Sequence, residues 1–290
     1  MTPPGDDKRG AATRRWRRLV RARLAEMEVL DPDGAALGAS FWDSRARRFA
    51  TQTAGTARTD PLLRRVRRVA RADSSLLDVG TGPGRFALAL APKVALVVAV
   101  DPSPVMLSLL RREARRAGID NITTVEGRWE DVTTGQADVV LCSYVLPLIE
   151  DAAGFLAKLD ASCRGHGFVY LSAMASDAVT EPFWRHFHGT VRRPGPTYLD
   201  AVGVLGDLGI TADVEVVEVL VRSRYASLAA AVRTYRDSLL LPDTPDVRRE
   251  LRHLLSAWLV GPPHALRPPL STSPAAILHW EATGQPSLPR

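Results

Sequence analysis

Three features of the chain predict an α/β fold, a doubly wound parallel sheet with helices on both faces. Strand-length runs rich in apolar or β-branched residues recur, among them residues 95–100, 122–126, 137–144 and 168–171. Between them lie segments with apolar residues at helical spacing, such as 104–117 (Met106, Leu109, Leu110) and 152–162. The run at 137–144, ADVVLCSY, is apolar almost throughout, as a strand covered on both faces should be.

Length and composition set bounds. A chain of 290 residues buries one substantial core with room for a subdomain, and 46% hydrophobic residues is ordinary for a soluble protein. The net charge of +6 rests on arginine, which suits an acidic partner such as nucleic acid and equally suits a solvated surface. Cys142 and Cys163 come without a C-x-x-C pair or Cys/His cluster, so neither a disulfide framework nor a metal site is expected. No apolar stretch reaches the roughly 18 residues that cross a bilayer, and the N-terminus lacks an apolar signal core; a cytoplasmic protein is expected.

Residues 1–13, with Pro3, Pro4, Gly5, Asp6 and Asp7, read as a disordered leader. Residues 14–27 form a basic helix with Trp16, Leu19, Leu24 and Met27 available for one side. In residues 41–49, Trp42, Ala46 and Phe49 fall at helical spacing. Asp60 and Pro61 make a cap and first turn for a helix through Arg71, its arginines toward solvent.

Residues 76–101 read LLDVGTGPGRFALALAPKVALVVAVD. An apolar run ends in Asp78, a loop carries Gly80, Gly82 and Gly84, a helix-compatible segment follows, and a second strand stops at Asp101. The glycines let the backbone turn sharply and let a ligand approach where a Cβ would block it. Asp101, at the carboxyl edge of its strand, can accept hydrogen bonds from both ribose hydroxyls of an adenosine. A nucleoside cofactor follows. The dinucleotide pattern G-x-G-x-x-G would need glycine where Arg85 stands, and no G-x-x-x-x-G-K-[ST] is present, which disfavours NAD and ATP chemistry.

Asp-x-Gly-x-Gly-x-Gly at residues 78–84 resembles the S-adenosylmethionine loop of class I methyltransferases, and Ala-Val-Asp-Pro-Ser at 99–103 resembles that family's second motif. The likeness runs over residues 76–173. It implies S-adenosyl-L-methionine as cofactor, held by Asp78, Gly80, Thr81, Gly82, Gly84, Asp101, Pro102, Met106 and Ser143. It also implies a Rossmann-like seven-stranded sheet in the order 3-2-1-4-5-7-6, last strand antiparallel. An N-terminal helical segment, 14–72, would cover the cofactor ahead of a methyltransferase domain at 73–290. Phe49 stands where relatives often carry tyrosine, so no hydroxyl contact is carried over, and core packing suits Trp42 and Phe49 as well as ligand contact does.

Pro102 and Ser103 turn the chain, Pro104 starts a helix, and Gly118 ends it. The third strand, 122–126, leads into Gly127-Arg128-Trp129-Glu130-Asp131. Relatives commonly read Gly-Asp-Ala there and hold the adenine amino group through the aspartate. With Arg128 in its place, the adenine contact falls to Trp129, by backbone or ring, or to Glu130 or Asp131. After the fourth strand the corner reads Ser143-Tyr144-Val145-Leu146-Pro147, unlike the Asn/Asp-Pro-Pro-Tyr of relatives that methylate amines of nucleobases or glutamine. Cys142 lacks the adjoining proline usual in cytosine-carbon methylating relatives and reads as a packing residue. A helix at 152–162, a turn from Gly165 to Gly167 and a fifth strand at 168–171 follow.

The likeness becomes less specific beyond Ala173. Glu181-Pro182-Phe183-Trp184-Arg185-His186-Phe187-His188-Gly189 is aromatic and could lid a pocket. Either His186 or His188 could take a proton from an acceptor hydroxyl or amine, and an exposed or structurally hydrogen-bonded histidine leaves the same trace. Tyr144 and Tyr198 complete the catalytic candidates, and without a third ligand no metal is expected. A helix at 198–208, a strand at 213–221, a largely helical insertion at 225–260 and a last strand at 275–280 close the chain. The insertion is the candidate substrate cap; a homodimer contact would look much the same. The resemblance implies methyl transfer, and a small-molecule acceptor (O- or N-methylation) is favoured because the final third encloses without a recognisable RNA-binding module. RNA or protein methylation through the basic N-terminal region, and a non-catalytic nucleoside-binding regulator, are the alternatives.

Overall fold

The computed structural model describes residues 10–30, 39–53, 55–174, 179–221 and 223–282. Helices α1 (Ala11–Leu30), α2 (Ala39–Thr53) and α3 (Pro61–Val69) precede the first strand. Residues 1–9 of the expected leader lie outside the described residues, and α1 begins within its remainder. The Thr13 main-chain N and hydroxyl both donate to Asp207 Oδ2, at 2.8 and 2.9 Å, which fixes that first turn. Helix α1 is firmly anchored: Trp16 and Val20 are buried, and Trp16 Nε1 donates to Ile149 O at 2.8 Å. Helix α3 starts as expected, with the Asp60 carboxylate accepting from Leu62 N at 2.9 Å, but closes at Val69, two residues before Arg71.

Next come β1 (Ser75–Val79), α4 (Ala87–Leu90), β2 (Leu96–Asp101), α5 (Pro104–Arg116), β3 (Ile122–Glu126), β4 (Ala137–Ser143), α6 (Ala152–Ala161) and β5 (Cys163–Ser172). The last third adds α7 (Glu181–His188), α8 (Tyr198–Asp207), β6 (Asp213–Leu220), α9 (Leu228–Ser238), α10 (Pro245–Trp258) and β7 (Thr272–Glu281). The seven strands pair in the order β3-β2-β1-β4-β5-β7-β6, with β7 antiparallel to both neighbours, which is the Rossmann-like order. Strand side chains alternate, so β1 sends Leu77 and Val79 to a core with Trp16, Phe155, Leu156 and Val204, and Leu76 to a second with Leu62, Val66, Phe86 and Leu110. Helices α1, α6 and α8 thereby cover one face and α3, α4 and α5 the other.

Gly165 and Gly167 lie inside β5, not in a turn before it. A Cβ on Gly165 would sit 2.6 Å from Asp138 O, and one on Gly167 2.3 Å from the Trp280 ring, so both glycines permit close approach. Strand β7 starts three residues ahead of its expected position and runs through Pro274, whose carbonyl accepts from Ala173 N. The helical insertion resolves into α9 and α10, while Tyr225, read as its start, pairs as an antiparallel bridge with Leu266. The apolar faces of α9 and α10 pack with Phe183 and Trp184 of α7 in a third core. No helix among the described residues is long and apolar enough to cross a membrane.

Candidate cofactor and acceptor site

Beyond the carboxyl ends of β1, β2 and β4 lies a cavity of about 1280 Å³. Gly80 and Gly82 line it from the first loop, Asp101, Pro102 and Met106 from the β2–α5 corner, Trp129 and Glu130 from the turn after β3, and Ser143 and Tyr144 from the end of β4. Of the residues expected to hold the cofactor, Asp78, Thr81 and Gly84 do not line it.

The loop is fastened to β2 at several points. Gly80 N and Thr81 N donate to Val100 O at 2.8 and 3.0 Å, and Gly82 N donates to Asp101 Oδ2 at 2.8 Å. Ser103 N donates to Asp101 Oδ1 at 2.9 Å, so both carboxylate oxygens are held in place and each keeps acceptor capacity. Burial, and then the Asp43 charge, push the Asp101 carboxyl above its ordinary range, against the two main-chain bonds.

The three glycines do different things. Gly82 has φ +56°, and a Cβ there would meet only Phe49 Cε1, at 3.8 Å, leaving it free to fill cavity space. A Cβ on Gly80 would lie 2.2 Å from Val145 Cγ2, and one on Gly84 2.2 Å from Leu110 Cδ1. The third glycine therefore serves packing against α5, contrary to the ligand role expected for it. Thr81 and Asp78 secure each other: the Thr81 hydroxyl donates to Asp78 Oδ2 at 2.8 Å, and burial pushes the Asp78 carboxyl up to about 7. A bare Gly82, a braced carboxylate and apolar walls at Met106 and Trp129 fit a nucleoside.

In the turn after β3, Trp129 is buried, and its Nε1 donates to Phe155 O at 3.3 Å. Lys158 Nζ donates to the carbonyls of Trp129, Glu130 and Val132 at 2.5, 3.1 and 2.6 Å and lies 4.7 Å from the Trp129 ring centroid. Sequence reasoning missed Lys158. The available signal was its type: it is one of three lysines in an arginine-rich chain, and three converging carbonyls suit a compact ammonium better than a planar fork. Arg128, standing where relatives carry aspartate, pairs with Glu130 at 3.2 Å.

Trp42 and Phe49 of α2 line the cavity, as do Arg17, Arg21, Leu24 and Glu28 of α1. Tyr144 is the catalytic candidate that the fold brings there. Its backbone sits at φ +59°, its N–H donates to Tyr170 O at 2.7 Å, and burial raises its hydroxyl pKa, keeping it protonated. His186, His188 and Tyr198 are not among the cavity's lining residues. His186 meets Glu250 at 3.2 Å, His188 Nε2 donates to Leu239 O at 2.7 Å, and Tyr198 packs at the start of α8. The helical spacing of α7 turns Phe183 and Trp184 into the third core, so the aromatic stretch is structural there rather than a lid; α9 and α10, read as a substrate cap, spend their apolar faces on the same core. Cys142 is wholly buried, and burial drives its thiol pKa far up, as a packing residue requires. Among the described residues no group of three or more His, Cys, Asp or Glu could hold a metal.

Residues 76–167 match the family described as a methyltransferase domain. A Haemophilus influenzae protein described as uncharacterized is 31% identical over 189 residues, 61% of this chain and 66% of that protein. Ubiquinone biosynthesis O-methyltransferase of Methylocella silvestris is 33% identical over 102 residues, 34% of this chain and 39% of that protein. The chain thus spans less than two thirds of the length of either. Among solved structures, magnesium protoporphyrin IX methyltransferase from Synechocystis PCC 6803 with bound S-adenosylhomocysteine has a TM-score of 0.50 at 17% identity, over 63% of this chain and 92% of that one, which shows a shared fold. Glycine loop, strand order and domain match agree: residues 76–167 are a methyltransferase domain, set in the Rossmann-like sheet of S-adenosylmethionine-dependent methyltransferases.

Proposed function

We propose that the protein transfers a methyl group from S-adenosyl-L-methionine to oxygen or nitrogen of a small-molecule acceptor. Gly82, Asp101, Met106 and Trp129 would hold the nucleoside, and α1 and α2 would cover it. The cofactor supplies an activated methyl on its sulfonium. What remains for the protein is to bring the acceptor atom close and in line and to keep water out. Tyr144, neutral and on the cavity wall, would hydrogen-bond the acceptor.

The observation that carries the acceptor class is the charge balance of the rim. Arg17 pairs with Asp151 at 3.3 Å, Arg21 with Glu150 at 2.6 Å and Arg128 with Glu130 at 3.2 Å, and Glu28 adds a further carboxylate to the lining. Cations that bind nucleic acid must be free to neutralise phosphates, and these are already matched by their neighbours. The same cavity is also lined by Leu24, Trp42, Phe49, Leu148 and Ile149. An uncharged, largely apolar acceptor suits such walls, and a cavity above the roughly 300–1,000 Å³ usual for one drug-sized ligand leaves room for two molecules.

Methyl-labelled cofactor, offered with hydroxylated and aminated small molecules and in parallel with bulk tRNA and a protein extract, tests this. Label in the small-molecule fraction is expected, and label in tRNA or protein would overturn the acceptor class. Calorimetry with S-adenosylhomocysteine tests the cofactor separately: binding without transfer to any fraction would favour a regulator, and no binding would remove the cofactor reading.

A further inference from the structure

We propose that Asp43 is a positioning residue for the cofactor, fastening α2 over the cavity through Ser103; the proposal rests on reading that cavity as the S-adenosylmethionine site. Ser103 is completely buried and stands at a three-way junction. Its main-chain N donates to Asp101 Oδ1 at 2.9 Å. Its Oγ accepts from Met106 N at 3.0 Å, capping α5, and its hydroxyl proton goes to Asp43 Oδ1 at 2.5 Å. A hydroxyl has one proton to give, and here a carboxylate on a different element receives it. Such charge-assisted bonds are short and directional.

Ser103 caps α5 with or without that acceptor, so what Asp43 adds is the placement of α2. Around the bond, Trp42, Ala46 and Ala50 of α2 pack on Val105, Met106 and Leu109 of α5. That apolar contact can slide; a hydrogen bond to a buried hydroxyl cannot. Trp42 and Phe49, on the same helix, line the cavity into which Asp101 and Met106 also open. One residue, Ser103, therefore ties the acid expected to face the ribose to the helix that carries the covering rings. Without the tie, α2 samples placements in which those rings leave the cavity, and apparent cofactor affinity falls with the fraction of molecules correctly closed. Once cofactor is bound and α2 is in place, the chemical step is unaffected.

The test is calorimetry with S-adenosylhomocysteine alongside steady-state kinetics. D43A is expected to bind about tenfold more weakly, about 1.4 kcal/mol, with KM for the cofactor raised to match and kcat within about twofold. D43N keeps an acceptor oxygen for Ser103 and is expected to bind within about threefold of wild type. S103A is expected to repeat the D43A loss, and the double variant to lose no more than the larger single one. A merely structural role would lower thermal stability without this split or the asparagine rescue. D43A binding within about twofold of wild type, or additive losses in the double variant, would overturn the latch. Should D43A fail to fold, S103A is set against S103T, which keeps the hydroxyl; equal affinity of the two overturns it. Wild-type protein that does not bind S-adenosylhomocysteine removes the cofactor reading itself, an outcome distinct from normal binding that D43A leaves unchanged.

Discussion

Arg85 Nη2 meets Asp60 Oδ2 at 2.5 Å, and the Asp60 side chain is wholly buried, so the loop after β1 is tied to the first turn of α3 by a paired charge. The other Asp60 oxygen caps that helix through Leu62 N. In the sequence Arg85 is the residue that spoils a dinucleotide spacing; in the fold it is the counter-ion of a buried acid. R85M would leave that acid charged and unpaired and should cost about 3–5 kcal/mol in urea unfolding. Adding D60N, which removes the charge and keeps the capping oxygen, should recover part of the loss.

Two glycines of one loop should separate binding from stability. G82A places a methyl in the cavity at φ +56° and is expected to weaken S-adenosylhomocysteine binding with a modest stability loss of about 1 kcal/mol. G84A drives a Cβ against Leu110 and is expected to lower the unfolding midpoint more and the affinity of the folded fraction less. Calorimetry and thermal melts on both variants check this, and the reverse pattern would contradict the assignment.

Asp101 presents a carboxylate already oriented by Gly82 N and Ser103 N. Replacing it by alanine removes two charge-assisted bonds to the ribose, a few kcal/mol or on the order of 100-fold in affinity. Unchanged affinity by calorimetry would refute the ribose role.

The Asp78 carboxyl titrates at about 7 in the fold against an ordinary 3.8, chiefly through burial. Its raised value means the unfolded chain gives up that proton at lower pH than the folded one. The stability associated with the neutral form is therefore complete below 3.8, declines as pH rises toward about 7, and is flat above. D78N stays neutral throughout, so the cofactor-free variant should gain in melting temperature relative to wild type between pH 5 and pH 8. An unchanging difference across that range would show that Asp78 does not titrate there.

Of the four candidate catalytic side chains, Tyr144 lines the cavity. Y144F is expected to lower kcat by roughly tenfold with cofactor affinity unchanged, the effect of losing one oriented hydrogen bond in the reacting complex. H186Q, at a surface pair with Glu250, should leave turnover within about twofold. A stronger effect of H186Q than of Y144F on kcat would return the histidine to the active site.

What was legible in the chain follows from how local each signal is. Residues 78–84 and Asp101 could be read because positive-φ turns need glycine at fixed offsets and a strand's end places its last side chain at the sheet's edge. Gly84 belongs to the same string yet serves Leu110, which string position alone does not reveal. Gly165 and Gly167 looked like a turn because glycine marks both turns and tight strand contacts, and Trp280, which decides between them, lies more than a hundred residues on. His186 and His188 carry the right chemistry, but the spacing of Phe183 and Trp184 orients their helix toward its own core.

By itself, then, the sequence determined the alternation of strands and helices of a parallel sheet, the nucleoside loop and the acid that faces it, since each depends on neighbouring residues along one or two elements. Only the tertiary structure decided which contacts hold the cavity's walls in place. Arg17 reaches Asp151, Asp43 reaches Ser103 and Lys158 reaches Trp129 across long sequence separations. The first two accompany the burial of Trp16 and the packing of α2 on α5, which bring together side chains whose spacing in the chain carries no trace of their meeting.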